Sequence, residues 1–156
     1  MEYTPAASAA QALEEIGRCY QDYIETLQHC RSNSFNEIME SLFRSQGNPK
    51  VAHAVEEFDG IITGRIAALT ELLAQCPAEE AGQLALQALE QVLFYPVYKD
   101  TTISFSLAAF EGRAFPLLPF LSPEQRQEVA GRYARRTPPR RMLPNQKKLW
   151  KELMQR

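Results

Sequence analysis

The chain has 156 residues, 45% of them hydrophobic and 23% charged, the composition of one globular domain able to bury a core of its own. No apolar run approaches the ~20 residues of a membrane span, and the opening residues lack the basic and apolar regions of a secretory leader; a soluble protein of the cytoplasm, without a membrane, is expected. The formal charge of −2 hides a division: residues 131–156 hold nine Lys and Arg against one acid, Glu152, a formal +8, whereas the other 130 residues hold eight basic and eighteen acidic side chains, a formal −10.

The first predicted helix starts at Ser8 and runs to about Arg31. Leu13, Ile16, Tyr20, Tyr23, Ile24, Leu27 and Cys30 recur every three or four residues along one face. A second helix is signalled by Ser34-Phe35-Asn36-Glu37, a capping box, and stops at Gly47. Asn48-Pro49 opens a third, long helix as N-cap and N1. It carries Val51, Ala54, Val55, Phe58, Ile61, Ile62, Ile66, Leu69, Leu72 and Leu73 and ends before Cys76-Pro77, because the residue before a proline disfavours the α region. Gly60 and Gly64 within it have a GxxxG-like spacing that can admit a second helix.

A fourth helix is expected from Ala78 to Phe94, closed by Tyr95-Pro96. Residues 101–107 alternate like a half-buried strand, but Ile103, Leu107 and Phe110 also suit a helix face. A lone strand in a helical protein would have no partner, so the helix is preferred. Phe115-Pro116-Leu117-Leu118-Pro119-Phe120-Leu121 is too proline-rich for a regular helix and very apolar for a loop. It either plugs the end of the bundle or forms an exposed docking patch. Ser122-Pro123-Glu124-Gln125 starts another helix, running to about Arg136. After the stiff Thr137-Pro138-Pro139 link, a last helix begins near Asn145, with Leu149, Trp150, Leu153 and Met154 on one side.

The fold expected is therefore all-α: a single domain over 1–156, with an antiparallel four-helix core over 8–95, a smaller C-terminal helical subdomain over 97–136, and a basic tail helix over 137–156. No family resemblance accompanies this reading.

Little in the chain carries catalytic chemistry. The two histidines, His29 and His53, lack the paired Glu-x-x-His motifs of a di-iron bundle and the close Cys/His spacing of a zinc site. There is no GxSxG, SxxK or Gly-rich phosphate loop. Cys19, Cys30 and Cys76 form no CxxC motif and fall near apolar faces, which suits reduced, inert thiols. His53 is followed by Ala54-Val55-Glu56-Glu57, whose acids would repel an acidic receiver site, so a phosphotransfer role is disfavoured. No enzyme, no metal and no cofactor is expected.

The basic tail is the remaining functional signal. Arg132, Arg135 and Arg136 form a ridge at one helix end, Arg140 and Arg141 follow the proline link, and Lys147, Lys148 and Lys151 line the last helix beside Trp150. Such a cluster points to an acidic protein surface or a polyanion. The expected function is a non-enzymatic regulator or adaptor that docks a protein partner. A homodimer through the long third helix is one form of it. The alternative is a nucleic-acid-binding accessory protein, in which Tyr133 and Trp150 stack on bases. A third reading has the tail packed on its own body, covering acidic faces.

Overall fold

A computed structural model describes residues 5–29, 49–96 and 101–155. Among these the fold is all-α, without strands. Helix α1 covers Pro5–His29, α2 Pro49–Leu73 and α3 Ala78–Val92. Helix α4 covers Thr101–Ala108, and a 3₁₀ segment follows over Glu111–Phe120. Helix α5 is Pro123–Arg136, a short 3₁₀ turn occupies Pro139–Arg141, and α6 is Pro144–Met154. The capping box at Ser34–Glu37, the helix it opens, and Asn48 lie outside the described residues.

Helix α1 begins at Pro5, three residues before the predicted Ser8. Proline suits the first turn, and Ala6, Ala7, Ala9 and Ala10 are strong helix formers, so the helix extends upstream of the serine. Its predicted face is the buried one: Leu13, Ile16, Tyr20, Tyr23 and Leu27 are each at most 7% exposed. This face packs along α2. Tyr23 stacks on Phe58 with ring centroids 4.1 Å apart, and Phe110 meets Phe58 edge-on at 5.1 Å. Arg65 reaches Glu15 at 2.9 Å. Position 15 thus faces 65 while 23 faces 58, so the two helices run antiparallel. Gly60 and Gly64 of α2 face open space, with no neighbour within 4 Å, so no described helix uses their small size.

Residues 101–107 are helical, as preferred. Ile103, Leu107 and Phe110 share the buried face, and Ser106 is buried with its hydroxyl hydrogen-bonded to that of Tyr23.

The Phe115–Leu121 stretch differs from expectation in one respect, since it does form a helix, of the 3₁₀ kind. With three residues per turn, side chains three apart line up in rows. Arg113, Pro116 and Pro119 form an exposed row. Ala114 and Leu117 form one inward row, and Leu118 and Leu121 lie in another. Spacing the prolines by three puts both missing donors on the side facing water. The segment packs inward rather than forming an exposed patch: Leu117 and Leu118 are essentially inaccessible, and the segment lies against α2, α3 and α6. Gly82 on α3 permits the close approach. A Cβ there would stand 2.7 Å from the Gln125 Oε1 and 3.2 Å from the Phe120 carbonyl oxygen.

Helix α5 has the predicted start. Ser122 Oγ accepts the Gln125 amide at 3.1 Å, and Gln125 Oε1 accepts the Ser122 amide at 2.9 Å. Ser122→Ala removes one acceptor from this reciprocal pair. It is expected to lower stability by about 1 kcal/mol, measured by urea denaturation.

One hydrophobic cluster runs from Ala9 on α1 to Leu153 on α6. The C-terminal elements therefore share their core with the N-terminal helices.

Candidate functional site

The basic residues of the tail separate into two groups. Arg132 lies on the α5 side that faces α3: it pairs with Glu90, and its guanidinium sits 3.9 Å from the centroid of the Phe94 ring. Arg136, one turn later, lies 4.0 Å over the Tyr95 ring and donates to the Leu93 carbonyl. Leu93 is the C-cap of α3. A helix C-terminus leaves carbonyls without partners and carries partial negative charge. Arg132 and Arg136 thus close the end of a neighbouring helix, and this is where two members of the predicted ridge are spent.

The second group stays at the surface. Arg135, Arg140, Arg141, Lys147, Lys148 and Lys151 are exposed. None of them forms an ion pair among the described residues. Lys148 approaches the Phe115 ring at 5.9 Å, a loose contact.

The apolar side of α6 docks on its own chain. Leu149 and Leu153 are at most 1% exposed, Trp150 is partly buried against the core, and Met154 is 57% exposed. Asn145 Nδ2 donates to the Ala108 carbonyl at 3.1 Å, tying the start of α6 to the end of α4. Arg126 reaches the Leu118 carbonyl at 3.1 Å and the Glu152 carbonyl at 3.3 Å. The two aromatics expected among the cations are withdrawn. Tyr133 is fully buried, and the indole Nε1 of Trp150 is enclosed without a hydrogen-bond partner among the described residues.

Glu111 belongs to no sequence motif, yet it is the most highly connected buried polar side chain among the described residues. This carboxyl is 2% exposed at the start of the 3₁₀ segment. Tyr133 donates to its Oε1 at 2.6 Å and Gln146 Nε2 to the same oxygen at 3.2 Å, while Tyr95 donates to Oε2. Gln146 Oε1 in turn accepts the Leu143 amide at 2.9 Å, so one side chain both caps α6 and binds the carboxyl. Burial pushes Glu111 above the ordinary carboxylate range, and the three donors and the Arg136 charge pull it back only in part. Burial and the Glu111 charge likewise push Tyr95 and Tyr133 well above the usual phenol value. A signal was present in the sequence: Glu111 is the one acid between Asp100 and Glu124, set within an apolar run.

His53 lines a cleft of about 330 Å3 between α1 and α2, with Cys19, Glu57 and Phe58 also in its wall. His53 stands 3.3 Å from Glu57, but the two are one turn apart on one helix and both are exposed. Burial pushes the Cys19 thiol up to about 11, which leaves it protonated and unreactive near neutral pH. Among the described residues no three His, Cys, Asp or Glu side chains converge as a metal site, and no helix is long and apolar enough to cross a membrane.

No family model matches the chain, and comparison with curated proteins and with solved structures gives no match either.

Proposed function

We propose that the protein is a non-enzymatic binding protein, a regulator or adaptor, that docks an acidic protein surface through Arg135, Arg140, Arg141, Lys147, Lys148 and Lys151. The observation that carries this reading is the set of six exposed cations that have no carboxylate partner among the described residues, held on a buried framework. Complementary charge of this kind speeds encounter and excludes wrong partners. The framework also fixes the geometry, because Leu149 and Leu153 anchor the helix that carries three of the cations. The free thiols of Cys19 and Cys76 suit the reducing cytoplasm.

Nucleic acid is the second reading, and the positions of Tyr133 and Trp150 weigh against it. The Tyr133 ring is fully buried and the Trp150 ring partly so, which leaves little aromatic surface for stacking on a base. A homodimer through α2 is a further form of protein partner, supported by the open faces of Gly60 and Gly64 and the 41% exposure of Ile61.

The test compares what co-purifies with the wild-type chain and with an Arg140→Ala, Arg141→Ala, Lys147→Ala, Lys151→Ala variant, before and after nuclease treatment. These exposed changes should alter stability little. The expected result is a protein partner that survives nuclease, dissociates as salt rises, and is lost from the variant. Capture that disappears with nuclease would favour the nucleic-acid reading. Capture unchanged in the variant would remove the basic surface from the account.

A further inference from the structure

The groove between α1 and α2 carries its charges in a definite order along its length. Its walls are antiparallel, with position 15 facing 65 and 23 facing 58. By that register Ile61 on α2 stands level with Tyr20 on α1. On the α1 rim Arg18 lies two residues before this level and Asp22 two residues after it. On the α2 rim Glu57 lies four residues before Ile61 and Arg65 four residues after it. Because the helices are antiparallel, Arg18 and Arg65 fall on one side of the Ile61 level, and Asp22 and Glu57 fall on the other.

The groups at the middle of this face are open. Arg18 and Asp22 are exposed, and neither forms an ion pair among the described residues, although they are one helical turn apart. Ile61 is 41% exposed, one of two large apolar side chains so exposed among the described residues. Gly64, one turn on from it, is exposed and presents no side chain.

A surface whose charge reverses about its own centre is complementary to a second copy of itself. In a twofold dimer one patch serves both subunits, so that residue i meets j wherever j meets i. We propose that this face of α1 and α2 binds a second copy of the chain, antiparallel and centred on Ile61, with Arg18 against Asp22 of the second copy and Arg65 against its Glu57. The axis lies in the contact plane and crosses the groove at Ile61, so α1 lies on α1 and α2 on α2. Each charge pair then occurs twice, and Ile61 meets Ile61 at the axis. Glu15 already engages Arg65 through Nη1, but a guanidinium has five N–H donors, so Arg65 has donors left for a second carboxylate. An axis turned along the groove would set the cationic halves on each other. This register gives the α2 homodimer its geometry and brings α1 into it. It uses no residue of the basic surface, so it and the docking of an acidic partner stand or fall separately.

The test is sedimentation velocity of the full chain over a range of concentrations, for wild type, for Arg18→Glu, for Asp22→Arg, and for the two variants mixed. The wild type is expected to dimerise reversibly. Each variant alone sets like charges together at two contacts and should weaken its own association about tenfold or more. In the mixture the glutamate introduced at position 18 faces the arginine introduced at 22, and the native Asp22 faces the native Arg18. A one-to-one complex should therefore form about as tightly as the wild-type dimer, which also excludes misfolding of either variant. Changing Arg140, Arg141, Lys147 and Lys151 to alanine should leave the dimer intact. The proposal fails if the wild type stays monomeric at millimolar concentration, if either variant alone dimerises as tightly as the wild type, or if the mixture does not associate. Dimerisation lost only on removing the four basic-surface cations would overturn it in favour of a contact through α5 and α6.

Discussion

A chain ending at Arg136 is expected to lose cooperative folding rather than merely its basic charge. Leu149 and Leu153 are buried to within 1% and belong to the same cluster as the N-terminal helices. Replacing one such leucine by alanine costs about 2–5 kcal/mol. Truncation removes both, together with Trp150, the Gln146 bond to Glu111 and the Asn145 bond to α4. Whole domains have only about 5–15 kcal/mol of stability, so these losses together reach that margin. Leu149→Ala and Leu153→Ala should each lower the urea midpoint clearly, and the truncated chain should show a broad or absent transition in far-UV circular dichroism. A truncated chain that keeps the wild-type helicity and midpoint would show that the last helix is an appendage.

The second large effect should come from Glu111. In Glu111→Ala the hydroxyls of Tyr95 and Tyr133 and the amide of Gln146 all lose their acceptor inside the protein. Each orphaned buried group costs about 1–3 kcal/mol, and the cavity adds to that. Glu111→Gln keeps the volume and one acceptor oxygen, so it should cost far less. The two variants also differ in pH dependence. Glu111 titrates above its ordinary 4.5 in the folded chain. Between the ordinary and the folded value, the folded state therefore holds a proton that the unfolded state has released. Stability from this group is fully present below the ordinary value and declines as pH rises through the folded one. Urea midpoints of wild type and Glu111→Gln should diverge over that interval, with the wild type falling. The exposed carboxylates are common to both proteins and cancel in the difference. Parallel curves would mean that Glu111 does not titrate there.

The parts of the fold that were legible in the sequence are those fixed by neighbours along the chain. Ser122, Pro123 and Gln125 specify a helix start within four residues, and the structure has it there. The buried face of α1 follows from the spacing of Leu13, Ile16, Tyr20, Tyr23 and Leu27 alone. The 3₁₀ segment is less legible, because proline lacks the amide donor that a regular helix interior uses. Only a period of three lines up Pro116 with Pro119 on the outside. The candidate site was legible as composition but not as direction. Nothing local in Arg132 or Arg136 says that α3 ends beside them, yet that encounter engages both, Arg132 with Glu90 at the surface and Arg136 with the Leu93 carbonyl. Lys147 and Lys151 meet no such partner among the described residues and stay exposed. The Glu111 contacts were invisible for a similar reason, since its partners are 16, 22 and 35 residues away in the chain.

That separation also says something about how wrong arrangements are excluded. Apolar contacts tolerate sliding: α6 presents leucines at 149 and 153, and a helix shifted along its axis would still bury carbon against carbon. The carboxyl of Glu111 tolerates no such shift. It needs a glutamine from α6, a tyrosine from α5 and a tyrosine from beyond α3 at one point, and a displaced helix would leave a buried acid without its donors. Buried polar contacts can serve in this way to fix register, at some cost in stability. Glu111 thus works as a check on alignment, accepting one placement of three distant segments and penalising the rest.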